Sequence, residues 1–162
     1  MEEHKAAKES GRWPSGQMPV VIAGNMTLNQ SNAIIRYFGK KHGLYGDTAE
    51  EQYYADWAID TFQDLWKPDF YPQFFNESSD EAQLKVADDK FSVFGKQLED
   101  RLSGGQAYLT GSKLSIGDIK CYYVFSYLVY NDAVKNKPLQ TLLQGKTSQY
   151  PHVCTWVKTM DG

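Results

Sequence analysis

The spacing of apolar positions changes once along the chain, near residue 45. Before that point residues 3–10 are polar and predict a short helix, and Gly11, Pro14, Gly16 and Pro19 punctuate a loop. Pro19-Val20-Val21-Ile22 is β-branched and reads as a strand, with Met26-Thr27-Leu28 as its antiparallel partner. Gly24-Asn25 between them suits a tight hairpin turn, since both residues tolerate positive φ. Ser31 then opens a helix whose apolar positions Ile34, Tyr37 and Phe38 follow i, i+3, i+4, and Gly43 marks its end. Leu44-Tyr45-Gly46-Asp47 reads as a linker.

Beyond the linker the period is helical throughout. One helix is predicted from about Thr48 to Trp66, with Tyr54, Trp57, Ala58, Thr61 and Leu65 on its apolar face. Pro68 and Pro72 stop it. From about Asp80 a long helix carries Leu84, Ala87, Phe91, Phe94, Leu98 and Leu102, alternating by three and four. Leu114-Ser115-Ile116-Gly117-Asp118-Ile119 is a helix opening in which Ser115 and Asp118 cap reciprocally and Leu114 faces Ile119. The helix it starts, to about Tyr130, is apolar or aromatic nearly all round and is expected at the centre of the bundle. A last helix carries Val153, Trp156, Val157 and Met160.

Composition narrows the class. At 162 residues the chain buries enough surface to fold without disulfides or metals. Seventeen basic against twenty acidic residues give a net charge of −3, which argues against a nucleic-acid surface. No apolar run approaches the ~20 residues of a membrane helix, and the polar Met1–Lys5 is no signal peptide. Cys121 and Cys154 stand far apart on apolar stretches and read as inert thiols in a reducing, cytoplasmic setting. His4, His42 and His152 make no metal-ligand spacing, so no metal is expected.

A few residues carry chemistry beyond packing. Gln30-Ser31 lies where the strand pair feeds a helix, and the positive N-terminus of a helix binds a carboxylate well. The plainer alternative is that Ser31 only caps the helix. Asp56, Asp60 and Asp64 recur every four residues on one face, where like charges repel by roughly a few tenths of a kcal/mol per pair, which suggests a cation nearby; the plainer alternative is a solvated face. Trp66, Phe70 and Tyr71 cluster at the end of that helix, as a pocket wall or as core.

Three stretches in order resemble the glutathione S-transferases, the sigma branch most of all, with alpha and pi near it. Gly16-Gln17-Met18-Pro19-Val20 is similar to the family's G-Q-x-P-V, Gln30–Tyr37 to its Q-S-N-A-I-x-R-Y helix start, and Leu114–Asp118 to the opening of its sixth helix. The resemblance implies an α/β plus all-α protein: a truncated thioredoxin-like glutathione-binding lobe over 1–43, then an all-helical C-terminal domain over 47–162. Tyr37 and Phe38 are then expected to face the helical domain.

The resemblance also implies the site. Gln30 and Ser31 hold the γ-glutamyl carboxylate of glutathione. Met18-Pro19 is a cis peptide whose backbone pairs with the cysteinyl part, and Gln17 contacts the tripeptide as well. Lys8 takes the glycine carboxylate, although His4 stands where the sigma pattern has Trp. Asp64 faces the α-ammonium of a neighbouring copy's glutathione, and Trp66, Phe70 and Tyr71 wall the electrophile pocket.

Glutathione as co-substrate, a small electrophile and a homodimer or larger assembly are the partners so implied. No position matches the family's thiol-activating residue, which belongs to a first strand that precedes the part matched here. Two functions follow as expectations. One is glutathione conjugation or isomerisation of small electrophiles; the other is a non-catalytic scaffold or assembly subunit on the same fold. A chain that begins at Met1 favours the scaffold, and a piece of a longer chain favours the enzyme.

Overall fold

The computed structural model describes residues 9–10 and 17–162. Most of the helix expected over 3–10, and Lys8 with it, lies outside the described residues. Two compact units divide the chain, Met1–Leu44 and Tyr45–Gly162.

The first unit is mixed α/β. Strands β1 (Val20–Ala23) and β2 (Met26–Asn29) form a two-stranded antiparallel sheet in the register Val20↔Asn29 to Ala23↔Met26. That register leaves Gly24-Asn25 as a two-residue turn, and only Gly24 of the pair takes positive φ, 63°. Helix α1 (Ser31–Lys41) follows directly and ends as expected, with Gly43 left-handed at φ 70°. Within this helix Tyr37 and Phe38 meet edge to face, and Phe38 stacks on His42.

The second unit is helical, so the α/β plus all-α class expected from the sequence is the class observed. Helices α2 (Ala49–Leu65), α3 (Glu81–Leu102) and α4 (Ile116–Tyr123) each open on a reciprocal capping box: Thr48 with Glu51, Asp80 with Gln83, and Ser115 with Asp118. Such a box satisfies two N–H groups that the helix itself leaves unpaired. At the first, the backbone N–H groups of Asp47 and Thr48 hold the Glu51 carboxyl below its ordinary range. A 3₁₀ turn, Tyr71–Phe75, links α2 to α3, while α5 (Lys137–Thr147) and α6 (Pro151–Asp161) complete the described elements.

The core lies between α3 and the helices packed on it, α5 and α6, while α4 packs on α2. Phe91 and Phe94 of α3 meet Phe125, and Phe125 meets Trp156 of α6 edge to face at 5.7 Å. Every apolar position expected on the α3 seam from Ala87 onward is buried, as are Val153, Trp156 and Val157.

Three expectations need correcting. The buried face of α2 runs through Ala55, Ala58, Ile59, Phe62 and Leu65, so Tyr54 and Trp57 sit at its margin. The helix from Ser115 is not buried all round: Ile119, Tyr123, Tyr127 and Tyr130 are exposed, because only one flank meets α2 and the core. Its second half, Val124–Val129, also widens into a π-helical turn, with Tyr130 N–H donating to the Phe125 carbonyl five residues back.

Candidate functional site

In the first unit the strand register itself assembles a polar corner. Val20 pairs with Asn29, so the residues just before β1 lie beside those just after β2. Met18–Pro19 is thereby placed next to Gln30–Ser31. The Met18–Pro19 peptide is cis, as the sequence resemblance implies. Gln17, Met18, Gln30 and Ser31 are all exposed.

Gln30 is the N-cap of α1, with φ 67° and ψ 108° and no capping hydrogen bond from its side chain. Among the described residues it is the only non-glycine with positive φ. Such a conformation costs of order 1–3 kcal/mol and clusters at functional positions. Ser31 is the first residue inside the helix rather than its cap. Its side chain stands at the positive end of α1, where an anion is favoured by up to about 1 kcal/mol.

Apart from Lys8, the other expected site residues belong to the second unit. Asp56 accepts a hydrogen bond from the Tyr45 hydroxyl at 2.5 Å. Asp64 does have cationic company, since it pairs with Lys67 at 2.9 Å, but its side chain is 78% exposed. An exposed pair of this kind stabilises by ~1 kcal/mol at most. Asp64 also lines a cleft of about 310 Å³ between α2 and α3, together with Thr61, Asp89 and Lys90.

Trp66 and Tyr71 are half-buried and stack at 5.5 Å, whereas Phe70 is fully buried against Phe74 in the core. Trp66 also stacks on Phe62 at 5.3 Å. Tyr123 of α4 stands edge-on to both rings and stacks on Tyr127 at 4.8 Å. Lys120, one turn before Tyr123, holds its amine 4.4 Å from the centre of the Phe62 ring. Phe62, Lys120, Tyr123 and Tyr127 were not singled out from the sequence, although Lys120 is the only base between Ile116 and Tyr130. That solitary charge was the available signal.

The two thiols have packing roles. Cys121 is buried and donates to the Ala58 carbonyl, and burial pushes its thiol well above the ordinary range. Cys154 donates to the Thr147 carbonyl. Among the described residues no three His, Cys, Asp or Glu side chains are grouped to hold a metal ion. Nor is any described helix long and apolar enough to cross a membrane.

Fold and sequence agree on one class. Residues 58–161 match the glutathione S-transferase C-terminal domain family, and the chain belongs to the glutathione S-transferases. It is 27% identical to glutathione S-transferase 3 of Caenorhabditis elegans over 97% of this chain and 80% of that protein. It is 34% identical to glutathione S-transferase alpha-4 of Rattus norvegicus over 74% of this chain, and there it spans only 54% of the rat protein's length. Among solved structures, the pi-class glutathione S-transferase of Onchocerca volvulus superposes with a TM-score of 0.74 at 19% identity, over 99% of this chain and 71% of that one. The hairpin and α1 are thus a piece of a thioredoxin-like lobe, and the second unit is the family's helical domain.

Proposed function

We propose that this protein binds glutathione and serves its conjugation to small electrophiles, or a glutathione-dependent isomerisation. The observation that carries this reading is the corner in the first unit, where the register sets the Met18–Pro19 backbone beside the N-terminus of α1. The N–H groups of the first helical turn have no carbonyl a turn earlier to pair with. A carboxylate placed there receives charge-assisted hydrogen bonds, about twice as strong as neutral ones.

In this reading Gln30 and Ser31 take the γ-glutamyl carboxylate, the Met18 backbone and Gln17 take the cysteinyl portion, and Lys8 takes the glycine carboxylate. Pro19 presents the Met18 backbone. Asp64 serves the α-ammonium of glutathione on a second copy of the chain, which makes the working form a cytoplasmic dimer. Trp66 and Tyr71, with Phe70 bracing them from the core, wall the electrophile pocket. Reaction requires the thiolate, and a free thiol near pKa ~8.5 is mostly protonated at neutral pH. The hydroxyl donor that lowers that value is not among the residues assigned here.

Calorimetric titration with glutathione tests the reading. Ser31→Ala keeps a good helix former at an exposed first position, so the fold survives and the loss is local. The variant is expected to weaken glutathione binding at least several-fold. No heat from the unmodified chain at millimolar glutathione overturns the reading and leaves the non-catalytic scaffold in its place.

A further inference from the structure

Two cavities of the helical unit carry acid in their walls. Asp64 and Asp89 line the cleft between α2 and α3, and Asp69 and Asp80 line another beside the start of α3. A third cavity, of about 270 Å³, has neither aspartate nor glutamate in its lining. Its apolar part is made by buried Phe74, Leu128 and Val134 together with Phe75 and Tyr127. Beside the Tyr127 hydroxyl, two polar side chains reach it, Asn131 and Lys135, and both present donors. The Asn131 side-chain oxygen already accepts from the Ala133 N–H at 2.9 Å, which leaves its N–H₂ to offer. Among the described residues the Lys135 amine has no hydrogen-bond or ion-pair partner, whereas Lys137, two residues on, is held by the Asp132 carbonyl and the Gln140 side chain.

The walls of this cavity are fixed in advance. One belongs to the 3₁₀ turn Tyr71–Phe75 and another to residues 131–135. Fully buried Asn136 ties the two, donating to the Gln73 carbonyl at 2.9 Å and to the Ser79 hydroxyl at 2.7 Å. Gln140 holds the Asn131 carbonyl at 2.8 Å. Tyr127 and Leu128 come from the π turn, a local widening that is frequent at functional sites. A preformed, mainly apolar hollow with a few convergent polar groups is the usual form of a small-molecule site. Since a sealed cavity of about 150 Å³ is enough for benzene, this one has room for a single ring or short chain with a headgroup. None of Trp66, Phe70 and Tyr71, the electrophile wall of the reading above, lines it.

We propose that this cavity is a separate binding site for small monocarboxylic acids with an apolar body, the body lying against Phe75, Tyr127 and Leu128 and the carboxylate meeting Lys135 and Asn131. Donors without a neighbouring acid select an anion, and apolar walls select one whose charge sits at a single end. The lining holds no thiol and no acid–base pair, so the site holds its ligand without transforming it. It does not depend on the glutathione reading.

The test is a calorimetric titration of the full chain, without glutathione, with 3-phenylpropionate and with its neutral counterpart 3-phenylpropanamide. The acid is expected to bind at least about five-fold tighter than the amide, since only the carboxylate makes charge-assisted hydrogen bonds with the two donors. Lys135→Gln is expected to remove that preference and Lys135→Arg to keep it. Asn131→Asp retains the acceptor for the Ala133 N–H but meets the acid with like charge, so it is expected to weaken the acid and leave the amide unchanged. Ala133→Trp, at an exposed position of the lining, fills the space and is expected to abolish binding of both probes. Thermal unfolding checks that each variant keeps its fold, and should Ala133→Trp fail to fold, the substitutions at exposed Lys135 still decide. Equal affinities in the unmodified chain, no binding of either probe, or a preference that survives Lys135→Gln each overturn the proposal. Loss of acid binding in Trp66→Leu assigns the probe to the electrophile wall and overturns it as well.

Discussion

Asp118 is a fully buried carboxylate that accepts four hydrogen bonds, two on each oxygen. Oδ1 takes the Leu109 N–H at 2.7 Å and the Trp156 indole N–H at 3.0 Å. Oδ2 takes the Ser115 N–H at 3.0 Å and the Ser115 hydroxyl at 2.6 Å. Burial pushes this carboxyl up, and the four donors pull the other way. One side chain thus caps α4, fixes the loop through Leu109 and orients the core tryptophan of α6. Asp118→Ala leaves three buried N–H groups without a partner, each costing ~1–3 kcal/mol. The expected loss is about 4 kcal/mol, read from the urea midpoint. Asp118→Asn keeps an acceptor for Leu109 and Trp156 but turns an amide N–H₂ toward the Ser115 N–H, and about half that loss is expected. The reciprocal cap between Ser115 and Asp118 was legible in the sequence because both partners are local. Leu109 and Trp156 were not, because they reach Asp118 from segments 9 and 38 residues away.

At the scale of elements, α2 and α4 approach so closely that Gly117 is required at their crossing. A Cβ there falls 2.8 Å from the Ala58 Cβ and 3.1 Å from the Ala55 carbonyl oxygen. Neither neighbour is a flexible tip, so the helices must part. Gly117→Val is therefore expected to lose ~1–3 kcal/mol in chemical denaturation, although valine is the better helix former. An unchanged midpoint sinks this account of the crossing. Helix starts were legible where a cap sits beside a clear seam, at Thr48, Asp80 and Ser115. Helix α5 was not expected, even though Asn136 caps it, Pro138 sits in its first turn and Leu139 and Leu143 are buried in it. Its inward face also carries Gln140, which donates to the Val129 and Asn131 carbonyls at the end of the π turn, and that polar residue dilutes the apolar period. The π turn has no signature in spacing at all. Lys120 was hidden by a stretch that reads as uniformly apolar, whereas the corner at Met18–Pro19 and Gln30–Ser31 was legible through its motifs.

Over the molecule as a whole, the perturbed groups make stability depend on pH mainly at the alkaline end. The Asp161 carboxylate accepts a hydrogen bond from the Tyr122 hydroxyl and pushes that phenol up to about 12. Burial raises Tyr123 and Tyr130, and it raises the Cys121 thiol further still. Hydrogen bonds to aspartates raise Lys85, Lys96 and Lys113 as well. In each case the folded chain keeps a proton that the unfolded chain has already released. Above the ordinary value of each group the unfolded state therefore binds fewer protons, and stability falls as pH rises. Lys120 works in the opposite sense, because its folded value is lowered, but among the described residues it is a single group against seven. The urea midpoint is accordingly expected to hold steady up to about pH 8.5, near the ordinary thiol value, and then to decline toward pH 11. Tyr122→Phe removes the phenol held at about 12, so its decline between pH 10 and 11 is expected to be shallower than that of the parent. A parent midpoint that stays level or rises from pH 9 to 11 contradicts the account, as does a Tyr122→Phe curve that runs parallel to the parent through that window.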